Sequence, residues 1–89
     1  MWNKYLVEFL GAVFFVYVIL ATGNPLAIGA ALALVIVLTS PISGGHINPV
    51  VSITMAAAGK LPSTDVLPYC MAQILGGLVA LEIYKRVRA

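Results

Sequence analysis

The residues of this chain best suited to chemistry lie in one polar segment, SGGHINPV, at positions 43–50. Asn48 followed by Pro49 predicts a helix start, because an Asn side chain caps free backbone N–H groups and proline is tolerated at the first helical position. The apolar stretch 49–58 allows about 15 Å of helix, half of a hydrocarbon core of roughly 30 Å. Irregular backbone at membrane depth is tolerated only where it lines a cavity or is buried in protein. The pattern is therefore typical of a pore.

The sequence gives little support for a metal-binding site or a catalytic site. His46 has no Cys, Asp or second His nearby, so we predict no metal site and expect its side chain to fix the loop by hydrogen bonding. The single cysteine, Cys70, lies in an apolar run and is interpreted as a small buried hydrophobe. The sequence suggests no nucleophile–base pair and no phosphate-binding loop. We therefore predict that the protein is not an enzyme and binds no cofactor.

The composition places these residues in a membrane. The 89 residues are 62% hydrophobic and 9% charged, with a mean hydropathy of +1.06, which excludes a soluble globular domain. No charged residue occurs between Glu8 and Lys60. The net charge of +2 sits at the segment edges, which predicts contact with lipid headgroups and no binding of nucleic acid. A cleaved signal peptide is disfavoured, because Glu8 interrupts the basic-to-apolar pattern of such peptides.

The elements that must position the polar segment follow from hydropathy and turn residues. A single domain, 1–89, is expected to have spans at about 5–22, 26–41 and 65–87, with a re-entrant loop and half-helix at about 42–58. The second span is expected to end near Pro41. The predicted fold class is an all-α membrane protein with three transmembrane helices plus one re-entrant half-helix.

Small residues at four-residue spacing predict close helix packing within this bundle. One such stripe, on the third span, consists of Ala72, Gly76 and Ala80, and a shorter one on the second span consists of Gly29 and Ala33. Stripes of this kind are common in membrane helices, so they indicate packing and no particular function.

With these segments identified, the chain resembles one half of a major intrinsic protein, the family of aquaporins and glycerol channels. The resemblance rests on four features in order: EFLG at 8–11, Gly29, SGGHINPVVS at 43–52 and AQILGG at 72–77. It covers nearly the whole chain and fits the first of the two inverted repeats of the family better than the second. It implies half of an aquaporin-like right-handed bundle in a multi-pass integral membrane protein, and leaves the host membrane open.

The resemblance also implies roles for individual residues. Asn48 would donate hydrogen bonds to water or hydroxyl groups at the midplane. Glu8 and Gln73 would hold the loop from beneath. An alternative left open for Glu8 is that it extends toward the interface, because it lies one turn from Lys4. The backbone carbonyls expected to form a ladder of acceptors belong to Gly44, Gly45, His46 and Ile47.

Departures from the family pattern affect the expected constriction. Val51 stands where the family's second repeat carries an Arg, and the aromatic position on the second span is occupied by Ile28. A wider and more apolar filter is expected, which favours small neutral solutes such as glycerol. Val50 replaces the usual Ala of the Asn-Pro-Ala motif, and its bulk near the midplane could reduce or block conduction.

A single half-repeat cannot surround a pore, so the sequence predicts assembly with a second, inverted copy. Two positive charges on one side, Lys4 and Lys60, oppose three on the other, so orientation is weakly specified. We expect an antiparallel homodimer in the lipid bilayer, with a tetramer of such dimers as a further possibility. The alternatives are a non-conducting accessory subunit in a larger assembly and an ion channel. The three charges on the second side are Lys85, Arg86 and Arg88.

Overall fold

The computed structural model describes residues 2–87, and its regular elements are helical. Three segments are long and apolar enough to cross a membrane: Asn3–Thr22, Pro25–Ser43 and Ser63–Val87. A further helix, Pro49–Ala57, has 9 residues and is too short to cross. The predicted all-α membrane architecture is therefore confirmed. The helices are α1 (Asn3–Thr22), α2 (Pro25–Ser43), α3 (Pro49–Ala57) and α4 (Val66–Val87), with a 3-10 turn (Ser63–Asp65) before α4.

A tight turn reverses the chain between α1 and α2. Gly23 ends α1 in a left-handed conformation, with φ of 56°, and its N–H donates to the carbonyl of Ile19 at 3.0 Å. The side chain of Asn24 then caps α2, accepting from the N–H groups of Leu26 at 2.9 Å and Ala27 at 3.1 Å. The start of α1 and the end of α2 consequently lie at the same end of the bundle.

The second helix extends past the predicted boundary. It continues to Ser43, with Pro41 inside its last turn, which is two residues beyond the end expected near Pro41. The hydroxyl oxygen of Ser43 lies 3.3 Å from the carbonyl oxygen of Thr39, within the same turn as Pro41. Helix α2 ends at Gly44, whose φ of 91° suits glycine and whose N–H donates to the carbonyl of Ser40.

Close packing of α1 against α4 depends on the small residues of α4. Ala72, Gly76 and Ala80 are all buried, and Ala80 is fully covered. A Cβ atom on Gly76 would lie 2.6 Å from the carbonyl oxygen of Phe9 and 2.8 Å from the Cβ of Ala12. The absence of a side chain at Gly76 therefore sets the distance between the two helices.

The second predicted stripe behaves differently. Gly29 and Ala33 are both exposed, and a Cβ on Gly29 would meet nothing within 4 Å. This stripe does not pack against another helix within the described chain, so it contributes nothing to the fold of a single copy.

Replacing Gly76 by Ala is expected to destabilise the bundle by about 1–3 kcal/mol, because the new Cβ overlaps backbone that cannot move without separating α1 from α4. Gly77→Ala is the matched control, since its Cβ would meet only a methyl of Val16 at 3.7 Å. Unfolding of both variants in detergent micelles, followed by circular dichroism, measures the difference. Equal losses of stability in the two variants would contradict this account of the α1–α4 contact.

Candidate functional site

The loop between α2 and α3 has a strained backbone. Gly45 and Ile47 have φ values of 66° and 62°, and Ile47 is the non-glycine residue with positive φ among the described residues. A β-branched residue in this conformation costs roughly 1–3 kcal/mol, so its surroundings must hold it there. Its side chain is buried in a cluster with Ala12 and Val35. Gly11 permits that contact, because a Cβ there would lie 2.7 Å from the Ile47 Cδ1 atom.

The carboxylate of Glu8 is the centre of the site. Its Oε1 accepts from the backbone N–H of Ile47 at 2.7 Å and from Nε2 of Gln73 at 2.8 Å. Its Oε2 accepts from the Ser43 hydroxyl at 2.6 Å and from the backbone N–H of His46 at 3.1 Å. Glu8 has no exposed surface, so it turns inward and does not extend toward the interface. Hydrogen bonds to a carboxylate are stronger than neutral ones, which suits a loop at membrane depth.

A second set of hydrogen bonds joins the loop to α3 and α4. Nε2 of Gln73 also donates to the hydroxyl oxygen of Ser52 at 2.9 Å, and that oxygen lies 2.8 Å from Nδ1 of His46. The Ser52 oxygen therefore bridges Gln73 and the His46 ring, and the tautomer of the imidazole sets the direction of the bond to Nδ1. The Oε1 atom of Gln73 is buried without a partner among the described residues.

Tyr69 contacts the loop from α4. Its hydroxyl donates to the backbone carbonyl of Ser43 at 2.7 Å, and its ring centroid lies 5.2 Å from that of His46. The side chain is 2% exposed. The loop is thus held by a side chain from α1, two from α4 and one from α3.

An ion pair closes the same end of the bundle. The carboxylate of Asp65 accepts from Nζ of Lys4 at 2.7 Å and from the Tyr5 hydroxyl at 2.6 Å. Asp65 is 6% exposed, so it is a buried member of this ion pair and not a solvent-exposed charge at the end of a segment. This contact places the beginnings of α1 and α4 together, so the segment between α2 and α4 leaves and returns at one end. Gln73 lies about 10 Å along α4 from its first residue, so the loop reaches well into the bundle.

Asn48 begins α3 as predicted. Its Oδ1 accepts from the N–H of Val50 at 2.8 Å, and Pro49 occupies the first helical turn. Because the amide uses its oxygen for the cap, it retains two N–H donors for other partners. Asn48 is exposed on the surface of the single chain, as Gly44 is, whereas Gly45 is buried.

The residues predicted to form a constriction are not brought together within one chain. Val50 is 68% exposed and Val51 is 37% exposed at the start of α3. Ile28 is half-buried near the opposite end of α2, about 22 Å along the helix from Ser43. Among the described residues, no group of three or more His, Cys, Asp or Glu side chains is placed to bind a metal ion.

Ser52, Tyr69 and Asp65 were not identified as site residues from the sequence. Asp65, Tyr69 and Gln73 recur every fourth residue, so they share one face of the last span. That polar face on an apolar helix is a signal that could have identified them. Ser52 follows Asn48 by four residues and gives the same kind of signal on α3.

Known proteins that are similar to this chain belong to one family. A model of the family described as "Major intrinsic protein" matches residues 1–89. The chain is 41% identical over 92 residues to glycerol uptake facilitator protein-like 6 of Lactiplantibacillus plantarum, covering 93% of this chain and 43% of that protein. It is 37% identical over 98 residues to aquaporin Z of Brucella melitensis, again covering 93% of this chain and 43% of the relative. Aquaporin-8 of Notomys alexis is 44% identical over 62 residues, which are 70% of this chain and 24% of that protein. The chain thus spans less than half the length of these relatives.

Glu8→Gln is expected to lower stability by at least about 3 kcal/mol, because an amide presents one acceptor oxygen where four donors converge, and its N–H₂ group faces donors. Glu82→Gln is the matched control, since Glu82 is exposed and pairs with Arg86 at 2.8 Å on the surface of α4. Unfolding measurements and hydrogen exchange at the amides of His46 and Ile47 test this. Protection of both amides at the native level in Glu8→Gln would contradict the assigned role of the carboxylate.

Proposed function

Because the chain belongs to the major intrinsic protein family, we propose that it forms part of a passive channel for water and small neutral solutes such as glycerol. It is a multi-pass integral membrane protein. The observation that carries the proposal is the capped start of α3, where Asn48 retains two N–H donors above a loop fixed by Glu8. The names of the relatives, a glycerol uptake facilitator and aquaporins, support the choice of solutes.

Transport through this site would be an exchange of hydrogen bonds. A solute gives up water and receives bonds from the Asn48 amide, while the loop carbonyls accept from its hydroxyl groups. The N-terminal end of α3 carries a partial positive charge, which disfavours cations at the same place. The proposed acceptors are the carbonyls of Gly44, Gly45, His46 and Ile47.

We further propose that two inverted copies of the chain complete the pore, with a tetramer of such dimers as the larger assembly. Helix α3 packs chiefly on α4 and leaves Val50 exposed, so another surface is needed to enclose the start of the half-helix. Inversion would bring the start of α2, with Ile28, toward the half-helix of the other copy. The result is an apolar constriction that includes Val51 and has no Arg from either loop.

Charge distribution supports insertion in both orientations. Lys4 and Lys60 lie at one end of the bundle, and Lys85 and Arg86 lie at the other. Such a balance gives little preference for either orientation. Arg88, which the sequence places beside this second pair, lies outside the described residues.

A non-conducting accessory subunit is the second candidate. The 68% exposure of Val50 favours it, because two such side chains facing each other at the midplane would narrow the passage. The two candidate functions share the same fold and differ in whether water and solutes pass through the protein.

Purified protein in liposomes is expected to accelerate water and glycerol flux several-fold over empty liposomes, measured by stopped-flow light scattering. Asn48→Asp should abolish the increase, because it replaces the two N–H donors by a carboxylate. Asn24→Asp is the matched control: Asn24 caps α2 at an exposed turn, so the same substitution there should leave flux unchanged. Flux equal to that of empty liposomes, from folded native protein, would favour the accessory subunit.

Single cysteines introduced at Lys60 and at Lys85, in a Cys70→Ser background, should each react with a membrane-impermeant reagent from both faces of the membrane. This result follows from the even charge balance and from antiparallel pairing. Labelling of each position from one face only would exclude the antiparallel dimer while leaving the family fold intact.

A further inference from the structure

A continuous column of side chains links the membrane-surface end of the bundle to the loop. The Tyr5 hydroxyl donates to Asp65, and the Tyr5 ring packs edge-to-face on Tyr69, with centroids 5.8 Å apart and planes at 85°. The Tyr69 ring in turn lies against His46. An edge-to-face pair is a directional contact that contributes stability beyond the burial of apolar area, so the Tyr5 ring orients the Tyr69 ring.

Tyr69 is the member of the column that contacts the loop at two points. The carbonyl of Ser43 belongs to the last turn of α2, where carbonyls lack partners within the helix, and the Tyr69 hydroxyl satisfies it. The same residue, Ser43, donates its own hydroxyl to Glu8. A shift of Ser43 would therefore be transmitted to the carboxylate that holds the loop N–H groups.

We propose that Tyr69 is a positioning residue for conduction, fixing the Ser43 carbonyl and the His46 ring, and that Asp65 holds Tyr69 in place through Tyr5. The consequence for transport rests on the proposed channel function, whereas the effect on the loop does not. Tyr69 itself is not expected to touch the solute. Its influence passes through the position of the loop between Ser43 and Asn48.

The test compares Tyr69→Phe with Tyr17→Phe. Tyr69→Phe keeps the ring contacts and removes only the hydroxyl that bonds to Ser43. Tyr17 forms a similar aromatic pair with Tyr84, at 6.5 Å and 70°, between α1 and α4 nearer the other end of the bundle. Both variants lose one hydroxyl from an α1–α4 aromatic pair, so a general loss of packing would affect them alike.

Two readouts are needed. The chain has one histidine, so isotopically labelled histidine gives a single set of imidazole signals in nitrogen NMR of the protein in liposomes. Those signals report on His46 whether or not the protein conducts. Water flux and the glycerol-to-water flux ratio, measured on the same liposomes, report on conduction.

We expect Tyr69→Phe to shift or broaden the His46 signals, to lower water flux roughly fivefold, the factor that corresponds to about 1 kcal/mol, and to change the glycerol-to-water ratio. Tyr17→Phe should match the native protein in all three. Unchanged His46 signals in Tyr69→Phe, or equal changes in both variants, would overturn the proposal. If the native chain conducts neither solute, the channel function fails and the His46 signals still decide the positioning role.

If Tyr69→Phe does not fold, Tyr5→Phe takes its place. It removes the hydroxyl that joins the column to Asp65 and leaves Tyr69 intact. The His46 signals should then move, by a smaller amount, while native signals in folded Tyr5→Phe would overturn the proposal.

Discussion

The structure depends on one carboxylate, with no exposed surface, that satisfies backbone donors of the loop inside the bundle. A loop at membrane depth has N–H groups that cost several kcal/mol each if left unpaired. Glu8 accepts from two of them, at His46 and Ile47, and from side chains of α2 and α4 as well. The cost of burying the carboxylate is offset only while all four donors stay in place. This makes the loop and the helices around it a single cooperative unit.

The packing of the helices brings Glu8 to the loop. Gly76 lets α4 approach the backbone of α1, and Gly11 leaves room for the side chain of Ile47. Close approach allows Gln73 to reach Glu8 across 65 positions of sequence. The strained φ of Ile47 is maintained by this packing together with the hydrogen bond from its own N–H. Small residues are therefore as necessary to the site as its polar groups.

In a single chain, the polar groups on the inner side of the loop are hydrogen-bonded, whereas the outer side of the loop is exposed. Buried hydrogen bonds hold one side of the loop, whereas Asn48 and Val50 face outward at the start of α3. On α2, the stripe of Gly29 and Ala33 also remains unpacked. Small residues of this kind allow close approach of helices in lipid, so these surfaces are suited to contact with further membrane helices.

The sequence alone determined the features that depend on local chemistry: the apolar spans, the helix start at Asn48 and the resemblance that implied Glu8 and Gln73 beneath the loop. It did not determine that α2 continues beyond Pro41, where the N–H of Gly44 donates to the carbonyl of Ser40 and the Ser43 hydroxyl donates to the distant Glu8. Tertiary structure alone decided the roles of Tyr69 and Ser52. Their partners are distant in sequence, and only the crossing of the helices brings hydrogen-bonding atoms within 3 Å of one another.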